Sequence, residues 1–302
     1  MTTPTRIPVI LDTDIGSDID DAVCLSYLLS QPRCELVGIT TVSGRPKERA
    51  ALADAVCQAA GRKDIPIHSG IDRAMLGVVV QPDCRQAAVL PKWPHRAPET
   101  FESYTAVDWL RRTIRQRPGE LTLLGIGPMM NIGALFASDP EIPRLLKSLV
   151  LMCGCFLEPR PYSSEWNARL DPTSTGIVYH AEVAQHTSVG LDVTMQCRMP
   201  AREAIDRFKS AGGPLSVVAA MTEVWADRAH DVIFHDPLTG VAIFEPSVCE
   251  YETGNVSVEL LSQKVGGMTH FTAAPASDSR HRVAKKVDVK KFFELYFGVY
   301  QR

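Results

Sequence analysis

The chain has 302 residues, of which 45% are hydrophobic and 22% are charged, and its formal net charge is -3. This composition is typical of a globular protein with a sizeable core, and the slightly negative balance argues against a nucleic-acid-binding surface. No apolar run is long enough to span a membrane and the N-terminus lacks the apolar core of a signal peptide, so we expect a cytoplasmic protein without membrane or nucleic-acid partners.

The first part of the chain alternates between predicted strands and helices. These are a strand at 7–11, a helix at 20–30, a strand at 35–42, an alanine-rich helix at 47–61 and a short strand at 65–68. Such alternation predicts a parallel sheet with helices on its faces. Residues 70–100 break the pattern with four prolines. A loop of this length is usually either a functional flap or disordered, and we favour a flap that lies over the acidic loop after the first strand.

The alternation resumes at residue 105. Helices are predicted at 105–116, 131–137 and 239–244, strands at 120–124, 148–152 and 187–194, a mainly helical excursion near 200–233, a hairpin of 256–261 with 268–272, and an amphipathic terminal helix at 287–297. We see no internal repeat, low-complexity tract or linker. Residues 1–302 are therefore predicted to form a single α/β domain with a mostly parallel, Rossmann-like open sheet and a C-terminal hairpin plus helix.

The stretch from Val9 to Ala22 concentrates polar chemistry. Five aspartates at positions 12, 14, 18, 20 and 21 follow the first strand and lead into the first helix. Carboxylates at the carboxyl end of a strand lie where α/β sheets bind ligands. Five negative charges repel one another, and a hard divalent cation with oxygen ligands is the simplest way to neutralise them. The alternative is a solvated acidic turn with a helix N-cap, but such a turn has no need for five aspartates within ten residues.

Three further polar clusters follow later strands. Glu165 and Asn167 are two residues apart, so in an extended segment they share one face and suit vicinal hydroxyls. At 235–236, Asp236 could join a cation and His235 could transfer a proton, although in isolation the pair is better explained as a core histidine beside a helix-capping aspartate. The strand-to-helix turn at 127–131 leaves backbone carbonyls unpaired, and one could serve as a neutral cation ligand.

Together these stretches resemble the inosine-uridine-type nucleoside hydrolase family nearly from end to end. The resemblance rests on the Asp-rich loop, Ile-Thr-Thr-Val-x-Gly at 39–44, Gly-Pro-x-x-Asn-Ile at 127–132, Glu-x-Asn-x-x-x-Asp-Pro at 165–172, Leu-Asp-Val-Thr at 191–194, His-Asp-Pro-Leu at 235–238 and the closing helix. It implies a calcium-dependent N-ribohydrolase that cleaves a ribonucleoside to ribose and free nucleobase. It also implies a homodimer or homotetramer.

The resemblance assigns a metal and a catalytic role to matching residues. Ca²⁺ would be held by Asp14, Asp21, Asp236 and the backbone carbonyl of Met130, although the family usually has Thr at the last position. Asp14 would also act as the general base on a calcium-bound water. His235 resembles the leaving-group acid that the family uses on purine nucleosides.

The resemblance assigns the substrate side as well. The ribose hydroxyls would be held by Asp20, Glu165 and Asn167, with Met152 lining the site. Asp12 would be a supporting residue that orients the others. Aromatic candidates for stacking on the nucleobase are Trp225, Trp93 and His95, and helix packing is an equally good explanation for Trp225.

The chain departs from the family pattern on the substrate side. The loop carries two extra residues, as in a subgroup of the family, and Asp18 could therefore take a substrate-binding role next to Asp20. Arg45 stands where many members have Asn, and a cation there could pair with an aspartate behind the site or meet a substrate charge. Arg160, Tyr162 and Ser163 occupy the region where an Asn often precedes the Glu-x-Asn segment. Hydrolysis of some N-riboside is therefore better supported than hydrolysis of inosine or uridine.

Two other functions stay open on the sequence. One is a non-catalytic or divergent member that binds a riboside or sugar and has kept the metal site. The other is a metal-dependent phosphohydrolase, because Asp12-Thr13-Asp14 after a strand superficially suits an aspartyl nucleophile, but no later lysine and second acidic motif complete it. Release of a free nucleobase from a ribonucleoside would distinguish an N-ribohydrolase from both of these alternatives.

Overall fold

The scaffold of the protein is a nine-stranded, mostly parallel sheet. A computed structural model describes residues 5–159, 164–227 and 229–301. The strands within these ranges are β1 (Ile7–Thr13), β2 (Cys34–Thr41), β3 (Ile67–Ser69), β4 (Thr122–Gly125), β5 (Ser148–Met152), β6 (His186–Val189), β7 (Arg198–Pro200), β8 (Asp231–Ile233), β9 (Cys249–Val258), β10 (Thr269–Ala273) and β11 (His281–Val287). The order in the large sheet is β10-β9-β11-β6-β5-β4-β1-β2-β3, and β7 pairs with β8 separately. Within the large sheet, β9 runs antiparallel to both of its neighbours, and every other pairing is parallel.

Helices cover both faces of this sheet. They are α1 (Asp20–Ser30), α2 (Pro46–Ala59), α3 (Ala106–Gln116), α4 (Met130–Ser138), α5 (Ile142–Leu145), α6 (Trp166–Leu170), α7 (Pro172–His180), α8 (Leu191–Thr194), α9 (Ala201–Ala211), α10 (Pro214–Ala226), α11 (His235–Phe244) and α12 (Val289–Gly298). Short 3-10 turns occupy Arg85–Lys92, Pro98–Thr100, Pro246–Val248 and Ala276–Asp278.

The central strand β1 separates two apolar cores. Val9 and Leu11 belong to one core, together with residues of α1, α2, α10, α11 and α12, whereas Ile10 belongs to the other, with residues of α3, α4 and α7. Successive side chains of a strand point to opposite faces, so an uninterrupted apolar run is what a strand covered on both faces requires. The acidic loop that follows β1 is thereby held at an edge of the sheet by two packed layers.

The predicted fold class is confirmed. The sheet is mostly parallel, the helical stretch near 200–233 consists of α9 and α10, and the C-terminal hairpin of β9 and β10 is followed by α12. Among the residues that the structure describes, no helix combines the length and the apolar character needed to cross a membrane.

The predicted strand at 187–194 is wrong in its second half. β6 ends at Val189, and the Leu-Asp-Val-Thr segment forms the short helix α8. The Asp192 carboxylate accepts hydrogen bonds from the backbone N–H groups of Phe156, at 2.7 Å, and Leu157. These hydrogen bonds hold the 191–194 segment against the segment that follows β5, so it does not continue β6 as a strand.

Two other segments also differ from the prediction. β11 is a further strand, which lies inside the sheet between β9 and β6. Glu165 and Asn167 do not lie in an extended segment, because Glu165 is the N-cap of α6 and Asn167 lies within that helix. Their spacing therefore does not place them on a shared strand face.

Two histidines are buried where β6 and β11 begin. His186 and His281 are each 3% exposed, and their ring centroids lie 4.7 Å apart. The His281 ring accepts a hydrogen bond at Nδ1 from the Val256 N–H and donates from Nε2 to the Tyr179 carbonyl, so it is neutral. Burial lowers the pKa of His281 to about 4 and lowers the pKa of His186 well below its usual value.

We predict that His281 makes the protein less stable in mild acid. Its folded pKa lies below the unfolded value of about 6.5, so the unfolded state takes up the proton first as the pH falls. The free energy of unfolding should fall by about 2 kcal/mol more between pH 7 and pH 5 in the wild type than in His281→Asn. Urea denaturation at the two pH values measures this, with His270→Asn, which removes an exposed histidine, as the control. Equal pH dependence in the wild type and His281→Asn would contradict the prediction.

Candidate active site

The acidic loop joins the carboxyl end of β1 to the start of α1. β1 ends at Thr13, beside the ends of β2 and β4, and α1 begins at Asp20. Gly16 has a φ of 108°, and a Cβ there would lie 2.5 Å from Cys84 Sγ and 2.7 Å from Leu52 Cδ1. Only glycine fits this conformation and this space, so the loop is tightly packed between α2 and the segment that contains Cys84.

Three carboxylates form a compact group. Asp20, Asp21 and Asp236 each offer one oxygen, and these oxygens all lie within 4.8 Å of one another. Each residue is at most 3% exposed, and none of them has a Lys or Arg ion-pair partner within residues 5–159, 164–227 and 229–301. Burial, reinforced by the neighbouring negative charges, raises the pKa of all three carboxyls well above the usual range. A hard cation with oxygen ligands fits such a donor set, so the group could hold a metal ion.

Asp14 lies beside this compact group and is not a member of it. Its backbone N–H donates to Asp21 Oδ1 at 3.1 Å, and a Cβ on Gly127 would lie 2.9 Å from Asp14 Oδ1. Burial raises the pKa of Asp14, whereas the charge of Arg49 and a hydrogen bond from the Gln81 side chain lower it. Of the three carboxylates predicted to bind calcium, the structure brings Asp21 and Asp236 together, and Asp20, predicted to bind ribose, is the third member.

Asp18 belongs to the two-residue expansion of the loop. Its Oδ1 accepts a hydrogen bond from the Ile19 N–H at 2.6 Å, and the residue lines the central cavity. Burial raises the pKa of Asp18 to about 6, and the charge of Asp14 acts in the same direction. Asp18 therefore faces the site without joining the compact group.

Glu165 and Asn167 enter the site from the start of α6. Glu165 accepts hydrogen bonds from three backbone N–H groups, those of Gly154 (3.1 Å), Asn167 (2.6 Å) and Ala168 (2.9 Å). Burial raises the pKa of Glu165, and these three bonds oppose the shift. The Asn167 side-chain amide donates to the carbonyl of Met152, the last residue of β5, at 3.1 Å. The two polar side chains are thus held rigidly against the end of β5.

His235 opens α11 and precedes Asp236. Its Nδ1 lies 2.6 Å from the hydroxyl oxygen of Thr194, which follows β6 in α8. Burial lowers the pKa of His235 to about 4. The ring is half-buried and lines the same cavity as the carboxylates.

The cavity has a volume of about 590 Å³ and gathers most of the predicted site residues. Those that line it are Asp14, Asp18, Asp20, Asp21, Met152, Glu165, Asn167, Trp225, His235 and Asp236. The flap contributes residues 80–83 and 85–86, so this part of it borders the acidic loop. Neither Trp93 nor His95 lines the cavity, and Trp93 packs against the apolar core. Trp225 is therefore the aromatic candidate for base stacking that the structure brings into the site.

Two predicted residues lie next to the cavity without lining it. Asp12 is fully buried, and its Oδ1 accepts hydrogen bonds from the Thr40 hydroxyl and, at 2.7 Å, from the Asn131 side-chain amide. Burial raises the pKa of Asp12 to about 7. Met130 is 1% exposed and begins α4, directly before Asn131. Asp12 lies near the end of β1, and Met130 follows the turn that connects β4 to α4.

Arg45 lies outside the cavity. Its guanidinium pairs with Glu48 at 2.9 Å and donates from Nε to the Pro82 carbonyl of the flap, also at 2.9 Å. The side chain is 56% exposed. Its contact with the flap residue Pro82, which lines the cavity, is its connection to the site. Arg160, Tyr162 and Ser163, which mark the departure before the Glu-x-Asn segment, lie outside the described residues.

The sequence reasoning missed four residues that touch the acidic loop or its support. They are Arg49, Gln81, Gln86 and Asn131. The Gly-Pro-x-x-Asn motif contains Asn131 and was a usable signal, since an amide at a strand end often binds a buried carboxylate. The other three have no local signature, because a charged residue on a helix and a glutamine in a loop are usually solvated.

The chain is similar in sequence to proteins of known activity. Among curated proteins, it is 28% identical over 280 residues to the pyrimidine-specific ribonucleoside hydrolase RihA of Citrobacter koseri, covering 87% of each protein. It is 26% identical over 275 residues to uridine nucleosidase 1 of Arabidopsis thaliana, covering 85% of this chain and 80% of that protein.

Solved structures show the same fold. A plant nucleoside hydrolase matches with a TM-score of 0.83 at 24% identity, covering 98% of this chain and 99% of that one. A purine-preferring ribonucleoside hydrolase from Gardnerella vaginalis matches with a TM-score of 0.82 at 23% identity, covering 97% and 98%.

A sequence model of one family accounts for nearly the whole chain. The family is described as inosine-uridine preferring nucleoside hydrolase, and its model matches residues 9–294. The match includes the acidic loop, the Glu-x-Asn segment and the His-Asp-Pro segment that line the cavity. The predicted family is therefore confirmed: the chain belongs to the inosine-uridine preferring nucleoside hydrolases and is an enzyme that hydrolyses the N-glycosidic bond of ribonucleosides.

Proposed function

We propose that the protein is a calcium-dependent ribonucleoside hydrolase in which Asp14 is the general base and His235 is the leaving-group acid. The observation that carries the proposal is the convergence of buried carboxylates and one histidine on a single cavity. A histidine and a base at separate positions suit a reaction that must both activate water and protonate a leaving group. Assembly into a homodimer or homotetramer and a cytoplasmic location remain predictions of the sequence.

Calcium suits the acidic side of the cavity. The side chains there offer oxygen donors and negative charge, which hard divalent cations prefer. We assign the ion to Asp21 and Asp236 of the compact group and to Asp14, whose backbone N–H donates to Asp21 Oδ1, with the Met130 carbonyl as a neutral ligand. Asp20, the third member of the compact group, is left to the ribose. The bound ion would supply a Lewis acid for the attacking water and the ribose hydroxyls. Asp14 would accept a proton as a carboxylate, whose charge a cation beside it would stabilise.

The ribose is assigned to polar side chains of the same cavity. Asp20 accepts a hydrogen bond from the Asp236 N–H at 3.2 Å, which fixes its carboxylate next to the ion-binding group. Glu165 and Asn167 are fixed by backbone hydrogen bonds, so they offer oxygens to ribose hydroxyls at little cost in conformational entropy. We keep Asp18 as a further substrate contact because it lines the cavity.

The reaction breaks the bond between ribose C1′ and a ring nitrogen of the base, and the electron pair leaves with the base. A water oxygen bonds to C1′, and Asp14 accepts the proton that this water loses. His235, as the imidazolium, gives its Nε2 proton to the departing nitrogen and keeps its Nδ1 proton, which faces the Thr194 hydroxyl oxygen 2.6 Å away. The buried carboxylates stabilise the positive charge that develops on the sugar ring in the transition state.

Arg49 supports the acidic loop from behind. It is fully buried, and its guanidinium donates to four backbone carbonyls: those of Asp14, of Ile15 at 3.1 Å, of Ser43 at 2.8 Å and of Asp83 at 3.4 Å. Its charge lowers the pKa of Asp14 and of Asp21. One side chain from α2 therefore fixes the loop backbone and offsets part of its negative charge.

The first prediction concerns substrate and metal. Ribonucleosides should release free base, and EGTA should lower the rate by about a hundredfold or more because the Lewis acid is lost. Added Ca²⁺ should restore the rate, and 2′-deoxynucleosides should react more slowly because they lack a polarised hydroxyl. The measurement is chromatography of the released base over purine and pyrimidine nucleosides, since the related proteins include both preferences. Tight binding without turnover would favour the non-catalytic alternative.

The second prediction concerns the two carboxylates with different roles. Asp14→Ala and Asp236→Ala should each lower kcat by about a thousandfold or more, since one removes the base and the other a cation ligand. Asp236→Ala should also weaken calcium binding, measured by isothermal titration calorimetry. Asp139→Ala is the control, because Asp139 pairs with Arg115 away from the cavity. Wild-type activity in both site variants would contradict the mechanism.

The third prediction concerns Arg49. Arg49→Met should lower the free energy of unfolding by about 3 kcal/mol, because four carbonyls lose a charged donor. It should also lower kcat/KM at least tenfold, whereas Arg49→Lys should retain part of both quantities because it keeps the charge. Arg45→Met is the matched control from the same helix start, and loss of its solvent-exposed ion pair should lower the free energy of unfolding far less than Arg49→Met does. Urea denaturation and base release measure the effects, and equal costs for Arg49→Met and Arg45→Met would overturn the assigned role.

A further inference from the structure

Asp171 connects the segment that carries the ribose contacts to the flap. Glu165 is the N-cap of α6, and Asp171 both ends α6 and caps the N-terminus of α7. Asp171 belongs to the Glu-x-Asn-x-x-x-Asp-Pro motif at 165–172 and is 1% exposed, yet it does not line the cavity. A buried carboxylate is costly unless it is hydrogen-bonded, so its partners indicate what it does.

Both oxygens of the Asp171 carboxylate accept hydrogen bonds. Oδ1 accepts from the Ser174 N–H at 3.1 Å, which is the capping bond of α7. Oδ2 accepts from the Ser174 hydroxyl at 2.6 Å and from the backbone N–H of Met75 in the flap at 2.9 Å. Asn or Ser would supply the capping bond as well as Asp does, so capping alone does not require a carboxylate. The second oxygen is the one that reaches the flap.

The N–H of Met75 belongs to a tight turn, residues 74–78, which we call the flap tip. The Gly77 N–H donates to the Ala74 carbonyl at 2.7 Å, and the Ala74 N–H donates to the Val78 carbonyl at 2.9 Å. Met75 is therefore the second residue of a four-residue β-turn. The turn satisfies its own backbone and leaves the Met75 N–H free to bond outside it.

Little else holds the flap tip to the rest of the protein. Met75, Leu76 and Val78 are 42%, 83% and 59% exposed, so burial of apolar surface contributes little at these positions. Within the part of the chain that the structure describes, no second hydrogen bond joins residues 75–78 to another element. We call the bond from the Met75 N–H to Asp171 Oδ2 the tether.

The tether joins two segments that line the cavity. Residues 80–83 of the flap follow the tip and line the cavity, and residues 165–167 of the other segment line it as well. The tether therefore helps to set the position of the flap residues relative to Glu165 and Asn167. A cavity whose sides are held in place before substrate arrives loses less conformational entropy on binding.

We propose that Asp171 is a positioning residue that holds the flap against the ribose-binding segment, so that both meet the substrate in a preformed arrangement. The inference rests on the proposed function, in which Glu165 and Asn167 hold the ribose. Flap contacts that are equally strong in the ground state and in the transition state lower KM and leave kcat unchanged. Loss of the tether therefore weakens substrate binding and does not slow bond cleavage.

The test removes the tether from each of its two ends. Asp171→Asn keeps one oxygen for the Ser174 N–H, and its NH₂ group donates to the Ser174 hydroxyl and cannot accept from Met75. Met75→Pro removes the N–H at a turn position that proline favours. Each variant should raise KM about tenfold and keep kcat within about threefold of the wild type. The double variant should be no worse than either single one, because both changes remove the same bond. Met75→Ala is the matched control, because it shortens the side chain and keeps the N–H.

Hydrogen exchange supplies a readout that does not depend on catalysis. The backbone amides of residues 72–80 should exchange faster in Asp171→Asn and in Met75→Pro than in the wild type, whereas α7 should keep its wild-type exchange in both. Asp171→Ala loses the cap as well, so α7 should exchange faster in that variant. If Asp171 only caps α7, Asp171→Asn keeps the wild-type KM and the wild-type exchange of the flap, which overturns the inference.

Two other outcomes also overturn it. A lower kcat with an unchanged KM in Asp171→Asn would show that the carboxylate acts on the chemistry through Glu165 and not through the flap. If the wild type releases base from no ribonucleoside, the proposed function fails and the positioning role fails with it. Release of base with a wild-type KM in both tether variants overturns the inference alone.

Discussion

The burial of negative charge at the carboxyl end of β1 is the constraint on which the rest of the site depends. Asp12, Asp14, Asp20, Asp21 and Asp236 are each at most 4% exposed, and burial is the largest cause of the raised pKa of every one of them. An ionised carboxylate that leaves water without compensation costs several kcal/mol. The fold must therefore place positive charge, helix dipoles or protons next to the carboxylates at the carboxyl end of β1.

The compensation comes from several elements at once. Asp20 and Asp21 lie in the first turn of α1 and Asp236 lies in the first turn of α11, where the helix dipole favours negative charge. Glu165 caps α6 and accepts three backbone N–H groups. Arg49 contributes a buried positive charge from α2. These fixed dipoles and one fixed charge leave a local deficit of positive charge, which a bound divalent cation would remove.

The flap lines the cavity next to the acidic loop. It contributes the amides of Gln81 and Gln86 and the charged side chains of Asp83 and Arg85, and its backbone is held by Arg45 and Arg49. Charged groups stabilise the charge that develops in the transition state, whereas neutral hydrogen-bonding groups suit the recognition of an uncharged base.

The sequence by itself determined the α/β class and the acidic loop after the first strand, for which a bound cation is expected. Alternating apolar strands and helices are local patterns, and the repulsion among aspartates a few residues apart can be read without a structure. Only the tertiary structure decided that Asp20, Asp21 and Asp236 converge with Asp14 beside them, that β11 enters the sheet between β9 and β6, and that Gln86 reaches the Asp18 carbonyl from 68 residues away. Such contacts join segments distant in the chain, and they are set by the packing of the whole sheet and its helices, for which no short stretch of sequence carries a signature.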